Sequence, residues 1–139
     1  MTSRAERAAE LLAADPYAGS LGVRLVGVTD DAVTVAMVVG EGHHNFVGST
    51  HGGVLFSLAD VALSLAGNVP GPAVAIDTHL AITAASTAGD ELIATATELT
   101  RGRTLATYRV EVRRKSDDRI CGTFTGTNYI LPQEPAEPV

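Results

Sequence analysis

The spacing of hydrophobic positions changes several times along this chain, and the changes predict the order of its elements. Ala5, Ala8, Ala9 and Leu12 recur at helical spacing behind a Ser3-Arg4-Ala5-Glu6 capping box, and Asp15-Pro16 stops the run, so a short N-terminal helix is expected. Residues 23–29 and 33–39 are β-branched runs parted by Asp30-Asp31 and read as a hairpin. Residues 40–50 form a polar loop without a period. From 52 to 67 Leu, Ala, Val and Phe lie nearly all round a helical wheel, which predicts one buried helix, ended by Asn68-Val69-Pro70-Gly71-Pro72. The rest alternates as antiparallel strands at 73–84, 91–100, 104–115 and 119–128, with turns between them.

One long buried helix among strands that pair in antiparallel fashion is an α+β layer arrangement in which a curved sheet wraps the helix. The expected division is an N-terminal helix over 1–16, one main domain over 17–130, and a Pro-rich, acidic, disordered tail over 131–139. No internal repeat is present.

Composition narrows the function. At 139 residues the chain is one domain, so a complex site has to come from self-association. A net charge of −6, no Trp and only three Phe and three Tyr argue against a nucleic-acid partner. The longest apolar stretch, 54–66, is interrupted by Ser57, Asp60 and Ser64 and is too short to span a bilayer, and no signal-peptide core precedes it, so no membrane partner and a cytoplasmic location are expected. The single Cys121 has no intramolecular partner and reads as a buried inert thiol.

Between Glu41 and Asp77 the only ionisable side chains are His43, His44, His51 and Asp60. Asp60 falls in the middle of the buried helix, where desolvation raises a carboxyl pKa and makes a base that works near neutral pH. The alternative is a carboxylate that only accepts structural hydrogen bonds. At about 100° per residue Gly53, Ser57, Asp60 and Ser64 share one arc, a stripe of small and polar residues that has to face a cavity, a site or another subunit. His51-Gly52-Gly53 at the helix start offers free backbone N–H groups to a developing oxyanion, or is simply a tight entry to the helix.

Gly52 and Asp60 are eight residues apart on that helix, about 12 Å at 1.5 Å per residue. A reacting carbonyl needs donor and base each within about 3 Å, or about 6 Å through one water. One subunit cannot supply both to the same centre. Two such helices packed antiparallel across a two-fold axis can, which predicts a homodimer with two shared sites.

The segment His44-Asn45-Phe46-Val47-Gly48-Ser49-Thr50-His51-Gly52-Gly53-Val54-Leu55-Phe56-Ser57-Leu58-Ala59-Asp60 closely resembles the H-N-x-x-G-x-x-H-G-G-x-x-F-x-L-A-D signature of hotdog-fold acyl-CoA thioesterases of the phenylacetic-acid-degradation (PaaI) type. Asp15-Pro16-Tyr17-Ala18, Leu21-Gly22, Asn68 and Gly102-Arg103-Thr104 extend the resemblance over roughly 5–130. It implies a hotdog fold and hydrolysis of an acyl- or aryl-CoA thioester, phenylacetyl-CoA-like first, without a metal or redox cofactor. Asp60 matches the catalytic nucleophile or base, Gly52 the residue whose amide polarises the carbonyl, His51 and Asn45 the side chains that place thioester or water, and Ser64 a water-orienting hydroxyl. Family members are typically tetramers of two dimers.

Gly53 and Ser57 are expected to line the substrate site. Arg101 and Arg103 flank Gly102 in a turn, where their donors either hold a coenzyme A phosphate or are solvated. Asp77 and His79 share a strand face and line a site or face solvent or a neighbour. The histidines lack a Cys or carboxylate at zinc spacing, so no metal is expected. Two alternatives stand beside the aryl-CoA reading. One is a thioesterase for short or medium aliphatic acyl-CoA, and the other is an acyl-CoA-binding sensor that does no chemistry.

Overall fold

The computed structural model describes residues 1–132. Its elements run α1 (Arg4–Ala13), α2 (Pro16–Ser20), β1 (Arg24–Val28), β2 (Ala32–Val38), a 3₁₀ turn (Glu41–His43), α3 (Gly52–Asn68), β3 (Ala73–Ile82), β4 (Glu91–Arg101), β5 (Leu105–Arg114) and β6 (Arg119–Ile130). Ser3 caps α1 by accepting the Glu6 N–H, as the capping box predicts. The difference from expectation is α2. Asp15 accepts the Ala18 N–H and Pro16 takes the first helical position, so the pair that ends one helix also starts another. Of the expected tail, Leu131 donates its N–H to Pro72 O at 3.0 Å, and residues 133–139 lie outside the described residues.

All six strands form one antiparallel sheet in the order β1-β2-β4-β5-β6-β3. The sheet presents its inner face to α3, giving the α+β architecture with one central helix. Nine residues of α3, among them Leu55, Leu58, Leu63 and Leu65, are buried. They meet Val33, Val35 and Met37 of β2, Leu92, Ala94 and Ala96 of β4, and Tyr108, Val110 and Val112 of β5. Each large aliphatic side chain removed from water contributes about 1.5–3 kcal/mol, and this cluster is the main driving force of the fold. The opposite face of the sheet carries hydroxyls, with Thr34 bonded to Thr95 at 3.1 Å and Thr107 to Thr127 at 2.9 Å. Among the described residues no helix is long and apolar enough to cross a membrane.

The chain that leaves α3 crosses to the far edge, so β3 pairs with no strand but β6 among the described residues, and on its outer side the Ala73 N–H donates to Asn68 Oδ1 at 2.9 Å. A bulge between Ala75 and Asp77 inserts Ile76, and Val74, Ile76 and Ile82 are exposed along this edge. Asp77 and His79 are also exposed there. An edge strand that shows apolar side chains and free N–H and C=O groups is a template for pairing with a further strand.

Close approach of helix and sheet depends on missing side chains. A Cβ on Gly67 of α3 would overlap Asn128 Nδ2, and one on Gly126 of β6 would lie 2.6 Å from Leu63 Cδ2. Gly67→Ala, despite its better helix propensity, is therefore expected to destabilise the fold by about 1–3 kcal/mol through overpacking. The midpoint of chemical denaturation checks this, and an unchanged or raised midpoint would refute the contact.

Candidate active site

The candidate site is built around the entry to α3. His51 is the N-cap: its Nδ1 accepts the Gly53 N–H at 2.9 Å, and its own N–H donates to His43 O at 2.8 Å. The Val54 N–H goes to His51 O. The Gly52 N–H has no acceptor among the described residues, so it is the free amide at the positive end of the helix dipole. Gly52 is also where chain approaches chain, since a Cβ there would lie 2.9 Å from Ile82 Cδ1.

A cleft of about 370 Å³ opens beside this amide, lined by Asn45, Thr50, Gly52, Leu55, Ile82 and the 83–86 stretch. Two loops form its walls, and they are stitched together. The Thr50 N–H donates to Ser86 O at 2.8 Å, and the Ser86 hydroxyl donates to Thr50 Oγ1 at 2.7 Å, both residues being buried. His44 Nε2 accepts the Ala88 N–H at 2.9 Å. Arg114, held by Asp117 in a two-toothed pair, reaches across to Ala85 O. Asn45 organises the other wall, its Oδ1 accepting the Val47 and Ser49 N–H groups at 3.0 and 3.1 Å and leaving its Nδ2 without a partner among the described residues. Gly48, at φ 83°, supplies the left-handed turn that brings the loop back.

The polar stripe of α3 carries the other half. Asp60 is half-buried and has neither a hydrogen-bond nor an ion-pair partner among the described residues. Burial, with a smaller contribution from the like charge of Asp15, raises its pKa above the ordinary value. One turn earlier the Ser57 hydroxyl donates to Gly53 O at 2.7 Å and stands 2.8 Å from Tyr17 Oη, so the phenol is the donor to Ser57. Ser64 is exposed one turn after Asp60, and its carbonyl accepts the Asn68 side chain.

Gly52, Gly53, His51 and Asn45 thus gather at one end of α3, while Asp60 and Ser64 lie farther along it and Ser57 between. The arginines fall elsewhere. The Arg101 guanidinium is engaged by Glu98 at 2.7 Å and by Tyr108 Oη at 3.1 Å, and it lines a separate cavity of about 170 Å³ at the far end of α3. It does not project a free fork of donors. Arg103 is exposed and unpaired among the described residues. Tyr17 was not legible as a neighbour of the stripe, because it reaches Ser57 across 40 residues, and Asp15 acts on Asp60 only through its like charge. The one local signal was Asp before Pro, a start motif as much as a stop. Thr50 and Ser86 gave no signal at all.

Comparison of sequence and of structure finds known relatives. The sequence profile of the thioesterase superfamily matches residues 47–121. A protein of Deinococcus radiodurans named as a candidate esterase is 42% identical over 111 residues, covering 80% of this chain and 76% of that one. The acyl-coenzyme A thioesterase PaaI of Escherichia coli is 34% identical over 123 residues, covering 81% and 88%. The solved structure of the E. coli PaaI protein superposes with a TM-score of 0.89 over 93% of this chain and 94% of that chain, at 29% identity in the structural alignment.

The raised pKa of Asp60 has a cost with a definite sign. The charged form is penalised in the folded state, so the penalty is present at neutral pH and fades as pH falls toward the ordinary value of 3.8. Asp60→Asn is expected to raise the melting temperature at pH 7, with the gain shrinking toward pH 4. A variant less stable than the native chain at pH 7 would show that Asp60 is paired instead.

Proposed function

The chain belongs to the thioesterase superfamily and is a thioester hydrolase of the PaaI-like hotdog type, and from that premise we propose that it hydrolyses an aryl-CoA thioester, phenylacetyl-CoA-like, to the free acid and coenzyme A. The observation that carries the reading is an unpartnered half-buried carboxylate on the same helix as an unengaged N-terminal amide. The thioester oxygen lies against the Gly52 N–H, whose fixed dipole takes up the charge that develops there. Asp60 accepts a proton from the attacking water or attacks the carbonyl carbon itself. Both routes need its carboxylate form. The C–S bond then breaks, and the leaving thiolate takes up a proton; on the direct route a water then hydrolyses the acyl–Asp60 anhydride, which frees the acid and restores the carboxylate. His51 holds the helix entry and Asn45 Nδ2 points a free donor at the reacting group or its water, with Ser64 as a further hydroxyl for that water and Gly53 and Ser57 as the small wall residues beside it.

The spacing of Gly52 and Asp60, about 12 Å along the helix axis, makes the working unit a homodimer, in which each site takes its amide from one copy and its carboxylate from the other. The unpaired, apolar β3 edge supports pairing of the two sheets there, and two such dimers make a tetramer. The reaction so written uses no metal or redox cofactor and belongs in the cytoplasm. Exposed Arg103 remains available to a coenzyme A phosphate, whereas Arg101 reaches one only if it leaves Glu98. A second reading, a thioesterase for short or medium aliphatic chains, is favoured by the aliphatic cleft wall of Leu55, Ile82, Ala84 and Ala85.

Thiol release from phenylacetyl-CoA and a panel of aliphatic acyl-CoAs tests the reading. The native chain is expected to turn over, with the aryl thioester preferred, and Asp60→Asn to lose at least about a hundredfold in kcat. Bound acyl-CoA without thiol release would overturn it. Because the carboxylate is the active form, kcat/KM should fall as pH drops through a value above 3.8. Asp15→Asn, which keeps the cap of α2 but removes the like charge, should move that fall to lower pH. A shift to higher pH would contradict the electrostatic assignment.

A further inference from the structure

Two aromatic side chains with free surface flank the polar stripe of α3 that carries Asp60, and the reaction as proposed gives them nothing to do. Phe56 precedes Asp60 by four residues and Ser57 by three, so on the helix wheel they lie on opposite sides of the carboxylate, one turn toward the α3 N-terminus. Phe56 packs edge-on against buried Phe124, with ring centroids 5.4 Å apart at 69°, and keeps 37% of its surface open. On the other side the Tyr17 phenol donates to Ser57 at 2.8 Å, which pins its ring beside the stripe with 58% of the residue exposed. Asp15, two residues before Tyr17, is near enough for its charge to act on Asp60. Of the other aromatics, Tyr108 and Phe124 are buried, Tyr129 is on β6, and Phe46 is on the loop before α3.

We propose that Tyr17 and Phe56 form the two walls of the acyl subsite and select a flat aryl group. The proposal rests on the thioesterase reading above and names the residues that set its substrate class. Both rings are held in advance, one by a hydrogen bond and one by an edge contact, so little rotamer freedom is lost when a ligand arrives. An aryl group between them gains ring-to-ring contact and turns its electropositive edge toward the Asp60 carboxylate. An aliphatic chain in the same place gains burial but neither of those interactions.

The test is the ratio of kcat/KM for phenylacetyl-CoA to that for hexanoyl-CoA, measured in the full chain and its Tyr17 variants. Tyr17→Ala should lower the ratio by about three- to tenfold, the scale of an aromatic pair beyond its area, and Tyr17→Phe should hold it within about twofold. An unchanged ratio in Tyr17→Ala, or equal losses on both substrates, would make Tyr17 a structural contact only and overturn the proposal. If Tyr17→Ala fails to fold by circular dichroism, Tyr17→Leu keeps the bulk without the flat face, and the same fall in ratio is expected of it. Absence of turnover by the native chain on either substrate would instead remove the thioesterase reading and this selection with it, so the two failures are told apart.

Discussion

The rise of one helix constrains the reaction proposed for this molecule. Gly52 opens α3 with a free amide, Asp60 sits two turns further on, and backbone hydrogen bonding holds the two at about 12 Å whatever the side chains do. No rotamer change brings a carboxylate from mid-helix to the helix end. A reaction that needs both at one centre has to bring in a second helix, and a two-fold axis is the simplest operation that supplies it. The edge position of β3 fits that requirement, because the connection after α3 carries the chain to an edge of the sheet, where another copy can be added.

Burying α3 along most of its length has a second consequence. The sheet has to approach it closely, which places Ala94 and Ala96 at the centre and removes side chains at Gly67 and Gly126. It also forces the polar stripe to the one flank that the sheet does not cover. Asp60 is thereby half-withdrawn from water without being given a partner among the described residues, and the same desolvation that costs stability raises the carboxyl pKa and makes its carboxylate a stronger base. In the proposed reaction, stability and reactivity oppose each other at this residue.

Around the amide the structure spends its hydrogen bonds on rigidity. His43, His44 and His51 each use a ring nitrogen to accept a backbone N–H, from Gly40, Ala88 and Gly53 respectively. With Asn45 and the Thr50–Ser86 pair they turn two loops into fixed walls. The cleft beside Gly52 is therefore shaped before a ligand enters, and its donors lose little freedom on binding.

Element order, the α+β class and the buried central helix were legible in the chain because hydrophobic period, caps and turn residues act over a few neighbours, and those neighbours are fixed by covalent order. Asp60 and the His51-Gly52-Gly53 entry stood out for the same local reason: a carboxylate in an apolar helix and two glycines behind an N-cap. The expectation of a second copy likewise came from helical rise alone. Only the tertiary structure decided that β3 takes an edge of the sheet, that Thr50 meets Ser86, that Arg101 is occupied by Glu98 and Tyr108, and that Tyr17 stands on Ser57. Those contacts join residues that have no local pattern in common. Which polar group finds which is settled by how the sheet closes over α3, and the chain states that closure only as the sum of many weak packing preferences.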